Sequence, residues 1–430
     1  MHYQAALRFL ERVQAENHKL SLANVSNLVA GLELESKEFP CFFIQVGGTN
    51  GKGSTSHMLA AILRRAGWRV GLFTSPHLFE ARERIAVNGS IIGKTDFALT
   101  LALARDYAQS QVAAGLAEAM PTYFETIMLA ALCHFRRRRV QVAVMEVGLG
   151  GRLDATTALP AGLKLITNVS LDHKHILGRS IGAIAAEKGA MARPGVPLLI
   201  GCRNSARART VLARCAALAG APLYRAFGPG TALRVIPNGE ETQAVYYSGR
   251  KRHEFSLRLP GRHQAENAAL AIRGVELLQE RGLEIPETAV RSALARLRVP
   301  ARLEVFPGRP EVIIDGAHNR ASTEALAAWL KERKGPAPSL VFGVLADKEY
   351  RIMASLLAPL VRRVVLTEPA SDRKLAASRL KPFFRGCDIM VAVDPRVALE
   401  TARQFAEPVL VCGSLYLAGA LRQICLRGVK

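Results

Sequence analysis

Eight residues, Gly47-Gly48-Thr49-Asn50-Gly51-Lys52-Gly53-Ser54, have the composition of a phosphate cradle. Glycines let backbone N–H groups converge on an anion, lysine adds a full positive charge, and a following helix favours the anion through its dipole. The ordinary P-loop sets Ser or Thr directly after its Lys. Here Gly53 intervenes and the hydroxyl comes at Ser54. A turn that is merely rich in glycine would need no Lys, no hydroxyl, no apolar run before it and no helix after it. Phosphates also call for Mg²⁺, a hard cation that prefers oxygen ligands and keeps several waters. Ser54 and Ser75 offer hydroxyls. Glu146 closes an apolar run where a carboxylate is otherwise costly, so it reads as a metal ligand, with a salt bridge at the sheet edge as the alternative. His173, in Ser170-Leu171-Asp172-His173, reads by itself as a hydrogen-bonded structural residue more readily than as a ligand. The glycines of Gly148–Thr156 read by themselves as a tight turn.

The elements that must position these groups alternate. Phe42–Val46, Arg69–Phe73, Val140–Glu146, Leu163–Asn168 and Pro197–Ile200 are short, apolar and β-branched. Between them Thr55–Ala66, Lys94–Ala114, Phe124–Arg137 and Ile181–Ala192 carry apolar residues at helical spacing. This predicts a mostly parallel sheet flanked by helices. Leu223–Leu259 changes character, and the runs Ala244–Ser248 and Glu254–Leu259 predict a small antiparallel insertion. Helices over Gln264–Arg281 and Pro286–Arg298 follow. Val299-Pro300 marks a boundary, because the residue before proline leaves the helical region.

Beyond it, strands are predicted over Val312–Asp315, Leu340–Val344, Val364–Thr367, Ile389–Val393 and Val409–Cys412. Helices are predicted over Ser322–Arg333, Glu349–Leu360, Lys374–Phe384, Val397–Phe405 and Leu415–Leu426. The expected architecture is therefore α/β with two domains. Residues 1–298 form an ATP-binding domain and residues 299–430 a Rossmann-like doubly wound domain. Ligands of such sheets lie beyond the C-terminal strand ends. Ser75, Glu146 and Asp172-His173 fall there in the first domain, and Asp315 and Asp347 in the second, which places the expected site in a cleft between the two.

Composition narrows the classes. No run of 18 apolar residues exists, the N-terminus lacks the uninterrupted apolar stretch of a signal peptide, and seven scattered cysteines form no CxxC pair. A cytoplasmic protein with reduced thiols and no membrane span is expected. The formal charge of +22 raises nucleic-acid binding. The basic residues are spread along the chain, however, and the one dense run, Arg136-Arg137-Arg138-Arg139, ends a predicted helix whose dipole favours cations there.

Taken together, several segments resemble the folylpolyglutamate synthase/dihydrofolate synthase family of the Mur ligase superfamily. The family's GTNGKGS loop matches Gly48–Ser54, and its extra glycine explains the departure from the usual P-loop. The resemblance continues through Thr74–Leu78, Thr122–Glu125, Glu146–Thr156, Leu171–His173, Glu187-Lys188, Gly261–Gln264 with Asn267, and Ala301–Glu304. It ends with Asp315–Asn319, Leu345–Glu349 and Cys412–Tyr416, all in family order.

The resemblance implies ATP-dependent amide ligation. The γ-phosphoryl passes to a carboxylate of dihydropteroate or a reduced folate, and L-glutamate's amine then displaces phosphate. It implies that Thr49, Asn50, Gly51, Lys52, Gly53 and Ser54 hold ATP, with Asn267, Arg302 and Asp315 also contacting the nucleotide. It implies two Mg²⁺ sites drawing on Ser75, Glu146, His173 and Lys188, with Lys188 carbamylated as the family's matching lysine is, and admits a monovalent cation. Lys52, Lys188, His173 and His318 would be the catalytic group, His318 near glutamate. Thr122, Tyr123, Phe124, Glu125, Leu153, Asp154 and Ala155 would line the pterin. The chain departs from the family at Lys174-His175, at Gly189-Ala190-Met191 and at Thr157. A monomer without nucleic-acid or membrane partners is expected. The alternatives are a cell-wall-type Mur amino-acid ligase, which Asn50 and Gly53 argue against, and a basic nucleic-acid-associated ATPase.

Overall fold

Each strand-like run of the first half forms a strand. The computed structural model describes residues 1–15, 21–32, 39–201, 205–238 and 241–428. In it β1 (Phe42–Gly47), β2 (Val70–Phe73), β3 (Ile85–Val87), β4 (Ser90–Ile91), β5 (Val142–Glu146), β6 (Ala161–Ile166), β7 (Leu198–Ile200) and β8 (Leu223–Arg225) share one sheet, ordered β4-β3-β2-β5-β1-β6-β7-β8. The six strands from β2 to β8 in that order are parallel. β5 is buried at every position and β1 at all but its first, which is why, Gln45 and Glu146 apart, their sequences are apolar without alternation. β3 and β4 extend the edge as an antiparallel hairpin. Its turn is Asn88-Gly89, both residues at positive φ, a hairpin signal that the reading by runs passes over.

Helices cover this sheet: Lys52–Arg65, Lys94–Ala113, Tyr123–Arg137, Ile181–Gly189 and Ala206–Leu218. The first was expected to open at Thr55 and opens at Lys52. Its glycine-bearing first turn has poor intrinsic propensity, and the rest of the structure overrides it. Tyr123–Arg137 is opened by a reciprocal capping box between Thr122 and Glu125 and closed by Arg136 and Arg137, which suit the negative end of its dipole.

Three further strands, β9 (Thr231–Asn238), β10 (Glu241–Ser248) and β11 (Lys251–Leu257), make a small sheet ordered β11-β10-β9. Only Gly249-Arg250 separate β10 from β11, a length that permits antiparallel pairing alone. Helices Arg262–Gln279 and Glu287–Arg296 follow. Chain contacts divide the molecule into two units. The first holds Met1–Leu233, Tyr246–His253 and Glu266–Leu294; the second holds Arg234–Val245, Glu254–Ala265 and Ala295–Lys430.

The second unit's main sheet contains β12 (Glu304–Phe306), β13 (Val312–Ile314), β14 (Ser339–Phe342), β15 (Arg363–Leu366), β16 (Asp388–Val391) and β17 (Val409–Cys412), ordered β12-β13-β17-β14-β15-β16. All pairs are parallel except β12 with β13. Helices Arg320–Glu332, Tyr350–Leu357, Pro395–Arg403 and Leu415–Gly428 connect or follow them.

One expected helix is corrected. Lys374–Phe384 is not α-helical: Lys374 bridges to Leu345 in extended form, and only Ala377–Phe383 coils, as a 3₁₀ turn containing Pro382. Proline lacks the N–H that an α-helix needs there. Among the described residues no helix is long and apolar enough to cross a membrane. The six described cysteines are free, and Cys202 lies outside the described residues.

Candidate functional site

The parallel order β2-β5-β1-β6 makes four strands end side by side. Register aligns Phe73 with Met145, Val46 with Glu146 and Gly47 with Ile166. Whatever follows those residues is gathered at one edge: Ser75 after β2, Glu146 at the end of β5, the glycine loop after β1, and Asn168–His173 after β6.

The loop is held from the β6 side. Thr49 N–H donates to Asn168 O (2.9 Å), Asn50 N–H to Asn168 Oδ1 (3.0 Å), and Thr167 Oγ1 to Asn50 O (2.7 Å). Ser170 N–H donates to Thr49 Oγ1 (3.1 Å). Gly48 has φ 135° and faces Thr167 so closely that a Cβ would stand 1.9 Å from Oγ1. Gly51, at φ 83°, caps the helix Lys52–Arg65, and a Cβ there would stand 2.4 Å from Asn267 Oδ1. Asn267 is therefore pressed against the loop. Gly53 lies in the first helical turn, so Ser54 sits at its third position.

Two lysines converge on one carbonyl. Lys52 Nζ donates to Gly48 O and Thr49 O (both 3.2 Å), and Lys188 Nζ donates to Gly48 O (2.9 Å). Lys188 lies in the last turn of the helix Ile181–Gly189 and is 3% exposed. Burial first, then the charge of Lys52, pulls its pKa down to about 7, against the pull of Asp172, Asp154 and Glu187. Its neutral amine is thus accessible near physiological pH.

Oxygen donors stand beside this pair of strand ends. Ser75 N–H donates to Glu146 Oε2 (3.1 Å), and Glu146 is buried. Ser54 Oγ and Ser75 Oγ are buried and have no hydrogen-bond partner among the described residues. Orphaned buried hydroxyls are costly unless something else satisfies them. Hydroxyl and carboxylate oxygens suit Mg²⁺, and among the described residues no three His, Cys, Asp or Glu side chains form a metal-holding group. His173 has φ 48°, donates its N–H to Asp172 Oδ1 (2.9 Å), and keeps Nε2 3.9 Å from the same oxygen.

Two of the other predicted residues, Phe124 and Asp154, meet at Gly148. A Cβ there would meet the Phe124 ring at 2.8 Å and Asp154 Oδ2 at 3.2 Å. Phe124 packs on Phe73, ring centroids 5.5 Å apart, and Arg84 lies over the Tyr123 ring at 5.4 Å. Thr122 and Glu125 cap their helix, Leu153 is exposed and Ala155 buried. Asp154 acts as the staple of the Gly148–Thr156 segment. It accepts from Gly148 N (2.8 Å), Leu149 N (3.0 Å), Thr156 N (3.0 Å) and the Thr156 hydroxyl (2.6 Å). Burial raises its pKa, and those bonds oppose the rise.

Sequence reasoning missed what lies under the staple. Lys164 Nζ donates to Gln45 Oε1 (2.7 Å), and Gln45 Nε2 donates to Thr156 Oγ1 (2.9 Å) and Thr157 Oγ1 (2.8 Å). Thr157 donates on to Gly151 O (2.7 Å), which gives this departure from the family pattern a definite role. All four side chains are buried. The available signal was a polar residue in each of two apolar runs, since a buried polar group requires partners. Also missed is His77, whose Nδ1 accepts from Arg84 Nε (3.0 Å); burial and then Arg84 depress its pKa to about 4.

In the second unit Asp315 accepts from Leu303 N (2.9 Å) and Ala317 N (2.8 Å). Burial raises its pKa, opposed by the nearby Arg302 charge. Ala301 and Leu303 both have positive φ, a strained setting for Arg302 between them. His318 Nδ1 lies 2.8 Å from Gly316 O, which can only accept, so the proton is on Nδ1. Asp347 lies 3.8 Å from Arg373.

This fold has counterparts. Residues 46–274 match the Mur ligase middle domain, and residues 301–415 the Mur ligase glutamate ligase domain, which makes the class a Mur-type ligase. A dihydrofolate synthase/folylpolyglutamate synthase of Bacillus subtilis is 31% identical over 94% of this chain and 95% of its own length. The structure of E. coli FolC in complex with DHPP and ADP superposes with a TM-score of 0.87 at 28% identity, covering 100% of this chain and 99% of that one. The chain belongs to the folylpolyglutamate synthase/dihydrofolate synthase family. A Haloferax volcanii relative, whose name joins folylpolyglutamate synthase to dihydropteroate synthase, is 33% identical over all of this chain. The chain spans about half the length of that relative.

Proposed function

We propose that this protein ligates L-glutamate to dihydropteroate, to reduced folates, or to both, at the expense of ATP. The observation that carries the reading is the convergence of Lys52 and Lys188 on the Gly48 carbonyl, beside a loop built to receive phosphate. A carboxylate is a poor electrophile. Transfer of the γ-phosphoryl makes an acyl phosphate, the amine of glutamate attacks it, and phosphate leaves with the C–O bond. The chain's part is to place the reactants and balance charge on the transferring group. In this reading the backbone of Thr49–Ser54 and Asn267 hold the nucleotide, with Arg302 and Asp315, and Lys52 turns from its own loop to the terminal phosphates. Mg²⁺ would be held by Ser54, Ser75 and Glu146 and would neutralise phosphate charge. His173 and Lys188 belong to a second site.

The buried Lys188, its pKa drawn down by burial, favours carbamylation: its amine adds to CO₂, releases one proton and becomes an anion. Tyr123, Phe124 and Leu153 offer apolar and aromatic surface to a pterin, on a loop held by Asp154, with Thr122, Glu125 and Ala155 shaping its wall. His318 stands near glutamate. A monovalent cation, a cytoplasmic location and a monomeric state complete the proposal.

Purified full-length chain with ATP, Mg²⁺ and L-glutamate should release phosphate with dihydropteroate or tetrahydrofolate, and product masses should rise by one or more glutamates. Turnover with a UDP-linked carboxylate and none with either pteroate would overturn the reading in favour of a cell-wall-type ligase. Intact mass at high bicarbonate should show a labile carbamate that is lost in Lys188→Ala.

A further inference from the structure

Arg69, Arg137, Arg138 and Arg139 line a cleft of about 490 Å³ together with Val87, Asn88 and Ser90. Three pieces of chain build it. Arg69 precedes β2, Arg137–Arg139 end the helix Tyr123–Arg137 and turn toward β5, and Asn88–Ser90 form the turn of the β3–β4 hairpin. All these belong to the N-terminal ends of β2 and β5. The glycine loop and Glu146 stand at the C-terminal ends, a strand length of about 15 Å away on the same sheet. The cleft is therefore a separate place from the ligase site.

Its chemistry is one-sided. None of the four guanidinium groups has a carboxylate partner among the described residues, and Arg69 spends one Nη1 bond on Arg138 O (3.3 Å). Arg64 adds a fifth cation at the rim, donating to Asn88 O (2.8 Å). A solvated helix end needs cations at its last carbonyls, which Arg136 and Arg137 already supply; it does not need Arg138, Arg139 and Arg69 turned into a shared cavity.

Arg139 points further. It has φ 51°, at the place after a helix where glycine is the unstrained choice, with Arg139 N–H donating to Arg136 O and Val140 N–H to Phe135 O. A bulky cation there is kept at a conformational cost. Guanidinium forks match phosphate oxygens bidentately. The lining holds no aromatic ring on which a base could stack, which disfavours single-stranded nucleic acid. We infer that this cleft is a second anion site that binds an oligophosphate, either free or as the phosphate chain of a nucleotide whose base stays in solvent.

The test uses the full chain with its ligase site saturated by Mg²⁺ and AMPPCP, titrated calorimetrically with tripolyphosphate at 150 mM salt. One further equivalent should bind. Arg138→Gln/Arg139→Gln should weaken that binding at least tenfold while leaving ligase turnover without tripolyphosphate unchanged. Arg139→Gly separates fold from function: it should raise the melting temperature, since glycine relieves the left-handed strain, and still weaken tripolyphosphate. Repeating the titration with further ATP tells a nucleotide's phosphates from free oligophosphate; either one binding here supports the site. Equal binding in the double variant, an equal heat from sulfate at matched ionic strength, or an oligonucleotide outcompeting tripolyphosphate would overturn it.

Discussion

At the scale of single residues, the site rests on groups whose chemistry is incomplete without a ligand. Lys52 bonds its own loop, Lys188 is buried beside it, and two serine hydroxyls are buried with nothing to bond. We expect Lys52→Ala to lower kcat by about 10³-fold or more, the scale of losing a charge aimed at a transition state. Its melting temperature should stay close to wild type, because the helix Lys52–Arg65 keeps its cap and its buried face. Near-normal turnover in that variant would remove the loop from the mechanism. Ser75→Ala should raise the Mg²⁺ concentration needed for half-maximal rate several-fold, without weakening the fold. An unchanged Mg²⁺ dependence would mean that the orphaned hydroxyl serves something else. Lys52, Ser54 and Glu146 could be singled out as candidates in the sequence, the first two by the glycine loop between an apolar run and a helix, the third as a carboxylate closing an apolar run. His173 and Lys188 could not: a lone histidine and a lysine on a helix gain meaning only from what folds against them.

At the scale of elements, the reading by periodicity succeeded where burial is uniform. The central strands β1, β5, β6 and β17 are buried almost throughout and were found to within two residues at each end. It missed what a polar residue inside such a strand does for another element. Gln45 in β1 and Lys164 in β6 form a buried relay that reaches Asp154 through Thr156 and fixes the Gly148–Thr156 segment from below. Lys164→Met should cost about 1–3 kcal/mol, since Gln45 Oε1 is left buried without its donor. The same change should raise KM for the pteroate more than for ATP, as the loosened segment carries Leu153–Ala155. Equal effects on both KM values would deny the relay its positioning role.

At the scale of the whole molecule, two buried sets of groups give opposite dependences on pH. Burial first, then Arg193, lowers the Lys164 pKa from 10.5 to about 7, so the unfolded chain binds more protons between those values. Its contribution is full above 10.5 and is lost as pH falls through 7. His253 is opposed by its own burial, yet bonds to Glu276 (2.9 Å) and Glu287 (3.0 Å) raise it from 6.5 to about 9. Its contribution is full below 6.5 and is lost as pH rises through 9. Urea midpoints from pH 6 to 10 should therefore tilt in opposite directions in the variants. Relative to wild type, His253→Gln should lose most at low pH, and Lys164→Met should lose most at high pH. Parallel losses at every pH would show that neither group titrates as its surroundings require.

The sequence by itself determined the phosphate cradle, the alternation of strands and helices, and the restart of that alternation beyond Val299-Pro300. Those are local matters: glycine's freedom, lysine's charge, and apolar spacing that must find a covered face. Tertiary structure alone decided the strand order β2-β5-β1-β6, and with it which distant residues share an edge. Register set Glu146 beside the loop, burial lowered the pKa of Lys188, and chain crossing assembled the Arg69–Arg139 cleft. Such outcomes depend on desolvation and on neighbours distant in sequence, and no local pattern carries them.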